Sequence, residues 1–134
     1  MKIRGELKFS THWIGVIRAV DIIQIGNTKE ELFINLESEV YRMTLCNKFS
    51  IIKEDDIFYL KFEDQLAFSS FIFKCLRKKE RISQAKLASK LKVIRTSYSQ
   101  YEEAKKEPTL GKFSDVLKAL GYELEINIKK ISRL

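Results

Sequence analysis

At 134 residues, 45% of them hydrophobic, the chain is long enough for one full domain or two small ones and apolar enough for a genuine core, which excludes a disordered tail. Its net charge of +7 is held unevenly: residues 1–73 carry 9 basic and 11 acidic side chains, 74–106 carry 11 and 3, and 107–134 carry 5 and 4. The excess sits in one stretch and favours a polyanion partner there. No run of eighteen apolar residues occurs, and MKIRGELKF alternates charged and apolar residues instead of building a signal peptide, so a soluble, cytoplasmic protein with no membrane partner is expected.

In chain order, Lys2 to Phe9 alternates Ile3, Gly5, Leu7 and Phe9 with charged residues, the pattern of a strand with one buried and one wet face. A short turn at Ser10 to His12 leads to a second strand, Trp13 to Val20, and a third follows at Ile22 to Ile25. Trp13, Phe9 and Phe58 read as core residues of alternating strands. Gly26-Asn27 ends the third strand, and Thr28 with Glu31 forms a capping box for a helix to about Met43, whose buried stripe is Leu32, Leu36, Val40 and Met43. Strand character returns at Phe49 to Lys53 and Ile57 to Phe62, around the acidic turn Glu54-Asp55-Asp56. The N-terminal part is therefore a compact α+β layer whose helix covers one sheet face.

Asp64 caps the next helix, apolar at Phe68, Phe71, Ile72, Cys75 and Leu76 and ending in the basic run Arg77-Lys78-Lys79. No Gly/Ser/Pro-rich linker precedes it, so two closely joined units are expected, 1–63 and 64–134. Ser83 to Tyr101 then reads as two short helices joined by a tight turn, the spacing of a helix-turn-helix. Ser83 caps the first, Ile82 and Leu87 form a staple, and Leu87, Ala88 and Leu91 share its inner face. In the second, Tyr98 and Tyr101 face inward, which turns Arg95, Thr96, Ser97, Ser99 and Gln100 outward as base-reading candidates, with Gln84 fixing the docking through a base or a phosphate. Lys86, Lys92, Lys105 and Lys106 are the phosphate candidates. Lys92 stands where the turn favours glycine and Ile94 where a capping side chain is usual, so a looser turn is expected. Beyond Pro108, a helix from Leu110 or Gly111 to Leu120 ends at Gly121. Glu123 to Ile128 alternates again, with Leu124, Ile126 and Ile128 on one face. Such a lone strand needs a partner, and its copy in a second chain would make a homodimer or higher oligomer.

Residues Leu76 to Asn127, with SQAKLASKL, VIRTSYSQYE, KKEPTL and LGYELEI, resemble the helix-turn-helix domain of the phage-repressor-like bacterial regulators. The β-β-β-α-β order of the N-terminal layer, the phrase DIIQIGNTKEEL and its fusion to such a domain resemble HicB-type antitoxins. That resemblance implies a partial RNase H-like layer that neutralises a HicA-like messenger-RNA-cutting toxin, followed by an all-α helix-turn-helix domain with a C-terminal strand. It also implies repression of the shared operon through a palindromic operator DNA, the protein being nucleoid-associated when bound. The family's Gly-Gly-Tyr hairpin and Pro-Gly-Cys phrase are replaced here by Ser10-Thr11-His12-Trp13 and Asp21-Ile22-Ile23. The rival reading is a stand-alone regulator whose N-terminal layer senses a ligand or only dimerises.

Chemistry of its own is not expected. The strands offer only Glu6 and Asp21 as carboxylates and Asp55-Asp56 lie in a turn, which is no set for a metal pair. Cys46 and Cys75 lack metal or redox spacing and read as reduced packing residues. His12 suits a general base, and an RNase using it is the enzymatic rival, but no second catalytic group is placed with it. P-loop and dinucleotide glycine patterns are absent, so no cofactor is expected.

Overall fold

The computed structural model describes residues 1–44 and 47–132; Cys46 lies outside them. Strand β1 (Lys2–Phe9) pairs with β2 (Trp13–Ile17), and β2 with β3 (Ile22–Gly26). Helix α1 (Lys29–Thr44) carries the chain over to β4 (Phe49–Glu54), which turns back as β5 (Ile57–Phe62). The order across the sheet is β3-β2-β1-β5-β4, with every neighbouring pair antiparallel. The layer thus has the five strands read from the sequence, one more than the β-β-β-α-β order names, and the last of them, β5, lies beside β1. The second strand stops at Ile17, short of Val20, because Ile17 pairs directly with Ile22. A 3-10 turn at Arg18–Val20 reverses the chain, and Asp21 completes it at φ 57°.

Alternation decides the two faces. Ile3, Gly5 and Leu7 of β1 point inward with Phe58, Leu60 and Phe62 of β5, and the register sets Gly5 opposite Phe58. The Phe58 ring occupies the space where a Cβ on residue 5 would stand, so only glycine fits there. Helix α1 packs over β2 and β3 through the predicted stripe, joined by Phe33. At its start Glu31 N–H donates to Thr28 Oγ1 (3.1 Å), while Glu31 Oε2 accepts from Asn27 N–H, one residue earlier than in a standard box. Phe58 is fully buried, but Phe9 is 62% exposed, its ring tilted against half-buried Trp13 beyond the sheet's inner rows. Alternation identifies which face Phe9 lies on; it does not say how far the covering helix extends.

Helix α2 (Gln65–Lys79) joins the sheet to the rest. Asp64 Oδ1 accepts from Ala67 N–H (2.8 Å), a bond that holds the Asp64 carboxyl below its usual range. Phe71 packs on Phe62 of the sheet, while Phe73 packs on Tyr98, Tyr101 and Phe113 on the other side. Burial depresses the Lys74 pKa, and its ammonium donates to Met43 O (2.7 Å) at the end of α1. Gln65 Nε2 donates to Pro108 O. One apolar core therefore runs from the sheet through α2 into α3 (Gln84–Lys90), α4 (Arg95–Glu102) and α5 (Leu110–Ala119).

The expected C-terminal strand does not form in the single chain. Residues 123–131 carry neither helix nor strand. Leu124 is half-buried against the core, but Ile126 is 62% and Ile128 90% exposed. The physical reason is that a strand is defined by its ladder, and among the described residues no strand pairs with the segment.

Candidate nucleic-acid interface

The reading unit is set by how α2 to α5 end. After α3, Leu91 caps, Lys92 enters the left-handed region at φ 59°, and the chain closes with Lys92 N–H to Ser89 O (3.1 Å) and Val93 N–H to Ala88 O (3.0 Å). These are the two bonds of a Schellman motif. The turn expected to be loose is therefore fully closed, although Lys92 holds a conformation that costs a side-chain-bearing residue about 1 kcal/mol. The same pair of bonds ends α2 around Arg81 (φ 55°), α4 around Ala104 (φ 56°) and α5 around Gly121 (φ 92°). Only the last uses glycine.

Ser83 caps α3, its Oγ accepting from Lys86 N–H (3.1 Å). Ile94 adopts the extended cap conformation before α4 but supplies no side-chain bond. In α4, Tyr98, Tyr101 and Glu102 are buried, so the opposite surface carries Thr96 and Gln100, with Arg95 exposed at the first turn. Ser97 and Ser99 lie on the flanks, half-buried. Ser97 lines the cleft toward α5, and Ser99 Oγ donates back to Thr96 O (3.1 Å). Of the five outward candidates on α4, three are presented freely and the two serines are turned aside.

Gln84 is not free either. It is half-buried, with Nε2 donating to Glu102 Oε1 (3.2 Å). That carboxylate is the centre of a buried polar cluster. Arg77 Nε and Nη2 donate to Glu102 Oε2 (2.6 Å) and Oε1 (3.0 Å), and Ser70 Oγ donates to the Glu102 carbonyl (2.6 Å). Burial works against the charged Glu102. The hydrogen bonds from Arg77 and Gln84, with the Arg77 charge, outweigh it and hold the carboxyl below its usual range. The same contacts raise the Arg77 pKa, the bond to Glu102 being the main cause. Tyr98 Oη is buried beside the pair, meets no hydrogen-bonding geometry, and its pKa is driven upward by burial and then by Glu102. The cluster ties α2, α3 and α4 together, which orients Gln84 and the outer face of α4. It was missed in sequence because Arg77 sits in a basic run; the available signal was Glu102, an acid four residues after Tyr98 on the inner face of α4.

Lys86 and Lys92 are exposed beside α3 and its turn. Lys105 pairs with Glu103 (2.9 Å) on the surface, and Lys106 Nζ lies 5.8 Å from the Tyr101 ring centre. An unforeseen cleft of about 610 Å3 opens between the α3–α4 turn and α5, where Lys90, Lys112 and Lys118 join Lys92 and Lys106. The unit is thus cationic on more than its reading face.

The other chemical candidates are not brought together. His12 is exposed, within hydrogen-bonding distance of its neighbour Thr11 (3.0 Å). Cys75 is buried, and burial pushes its thiol up to about 12. Among the described residues no group of three His, Cys, Asp or Glu side chains could hold a metal ion, and no helix is long and apolar enough to cross a membrane.

Residues 74–127 match the Helix-turn-helix family model, a span that begins in α2 and runs through α3, α4 and α5, less than half of the chain. No curated protein matches the chain. The chain therefore carries a helix-turn-helix DNA-binding domain, the kind of domain that marks a transcription regulator.

Proposed function

We propose that the protein is a non-enzymatic repressor and antitoxin: its helix-turn-helix unit reads a palindromic operator, and its sheet layer neutralises a HicA-like RNA-cutting toxin by direct binding. The observation that carries the DNA arm is the outer face of α4, where Arg95, Thr96 and Gln100 are exposed together on a helix clamped by the Arg77–Glu102 pair. Such groups suit base edges in a major groove, while Lys86, Lys92, Lys105 and Lys106 suit the flanking phosphates. The antitoxin arm rests on the family resemblance and on charge, since residues 1–73 hold more acids than bases, which suits a partner built to grip RNA.

A palindrome calls for a dimer, and segment 123–131 supplies a self-complementary edge. Two such segments paired antiparallel about Asn127 set Ile126 against Ile128 and Glu125 against Lys129. That pairing would cover Ile126 and Ile128, both exposed in the single chain. Sedimentation tests it: Glu125→Lys should shift the chain toward monomer and Glu125→Lys with Lys129→Glu should restore the dimer; two unaffected variants would remove this interface.

Co-expression with the small protein encoded beside this chain tests the antitoxin arm. A stable complex and relief of growth inhibition are expected. A harmless or unbound neighbour would leave a stand-alone regulator with a ligand-sensing or dimerising layer. RNA cleavage by the purified chain that is lost on His12→Ala would overturn the non-enzymatic reading.

A further inference from the structure

We propose that the groove between α1 and the edge strand β4 is the docking surface for a basic, apolar-bearing protein segment. The inference rests on the antitoxin reading for the partner's biological identity, but the groove itself is argued from geometry. Helix α1 packs chiefly on β2, β3 and α2, and α2 on β5, so β4 is the sheet edge least covered by the two helices. Two clefts open along this line. One of about 390 Å3 lies between Glu37, Ser38 and Tyr41 of α1 and Phe49 of β4; another of about 250 Å3 lies between Glu30 and Phe33 and the Lys53–Asp55 turn.

The α1 stripe beside the groove is Glu30, Ile34, Glu37 and Tyr41, residues that helical spacing brings onto one side. All four are exposed, Ile34 at 62% and Tyr41 at 48%. A wet helix face does not need two large apolar residues one above the other, whereas an anchor site does. The charges select the occupant. In the cleft by the β4–β5 turn Glu30 lies with Glu54 and Asp55, and in the other Glu37 is the one charged lining residue; the two lysines of the turn-side cleft, Lys29 and Lys53, lie over the Trp13 and Phe33 rings (4.8 and 4.6 Å), which leaves acids in the majority. This surface repels nucleic acid and attracts a cationic protein. The outward sheet face also exposes Ile23 and Ile25, but further across that face β1 and β5 present Lys2, Arg4, Lys8 and Lys61 with Glu6 as the acid among them, a cationic balance that disfavours the same partner. The free β4 edge adds backbone groups with which an extended segment can pair.

The test has two arms on the full chain. In the first, the neighbour-encoded protein is co-purified with wild type, Glu30→Lys/Glu37→Lys, Ile34→Ala/Tyr41→Ala and the control Ile23→Ala/Ile25→Ala. Both groove variants should bind at least tenfold more weakly and fail to restore growth, with unchanged melting temperature and DNA binding, while the control behaves as wild type. Loss confined to the control would overturn the groove as the site. In the second arm, the isotope-labelled chain is titrated with a synthetic amphipathic Lys/Leu peptide and its Glu/Leu counterpart. The basic peptide should shift amide signals of Ile34, Glu37, Tyr41 and Phe49, and Glu30→Lys/Glu37→Lys should abolish the shifts. If wild type ignores its neighbour but the peptide maps to the groove, the antitoxin reading fails and the docking site stands. Shifts elsewhere, or none, overturn the site whatever the neighbour does.

Discussion

The sheet layer and the helix-turn-helix unit share α2 and one apolar core, yet they are made rigid by different means. The layer relies on shape: Gly5 under the Phe58 ring, with α1 packed over β2 and β3. The reading unit relies on a buried ion pair and on helix ends closed by Schellman bonds, most of them without glycine. Apolar packing tolerates small shifts at modest cost, while a buried carboxylate with several donors accepts only one arrangement. The directional device sits in the half that must meet a duplex of fixed geometry. The permissive one sits in the half for which a protein partner is proposed.

The sharpest way to break this contrast is Glu102→Ala. It strands the Arg77 guanidinium in the core and should cost about 3–5 kcal/mol in urea unfolding. A loss below 1 kcal/mol would show that the pair does not hold the unit. Acid should act on the same pair. Because the Glu102 pKa lies below its unfolded value, its contribution is complete above the ordinary carboxylate range near pH 4.3 and is lost as pH falls through the lowered folded value. Stability measured between pH 5 and 2 should therefore fall more steeply in wild type than in Glu102→Gln; parallel curves would assign the acid sensitivity elsewhere. Next in size, Gly5→Val drives two methyl groups into Phe58 and should cost about 1–3 kcal/mol, seen as a lower melting temperature. Arg95→Ala should leave the fold intact and lose about 1–3 kcal/mol of discrimination at one operator position. Equal losses on specific and random DNA would strike Arg95 from the reading set. The smallest effect is expected for Lys92→Gly, which relieves the left-handed strain and should stabilise the chain by up to about 1 kcal/mol, while weakening binding to all DNA sequences alike.

Much of this architecture was legible because it is local. Alternation in Lys2 to Phe9, the helical stripe Leu32-Leu36-Val40-Met43 and the caps Ser83 and Asp64 are relations among near neighbours in the chain, and the elements form where those relations place them. The outward positions Arg95, Thr96 and Gln100 followed from the inward tyrosines by helix geometry alone. Ser97 and Ser99 were harder, because the fate of a residue on the flank of a helix depends on its surroundings, the cleft toward α5 for Ser97 and the carbonyl of Thr96 for Ser99.

Local sequence thus determined the number, kind and bounds of most elements, the concentration of positive charge on the reading unit and the residues able to face a groove. Tertiary structure alone decided that β5 fills the place beside β1, that Phe9 stays outside the core, that Lys92 closes a tight turn and that Glu102 meets Arg77 across 25 positions in the chain. It also decided that segment 123–131 joins no strand ladder among the described residues. The physical reason is common to all of these. Each depends on which distant surfaces meet, and the free energy of a contact between distant segments is set by the shape and polarity of both partners, which no single stretch of sequence contains.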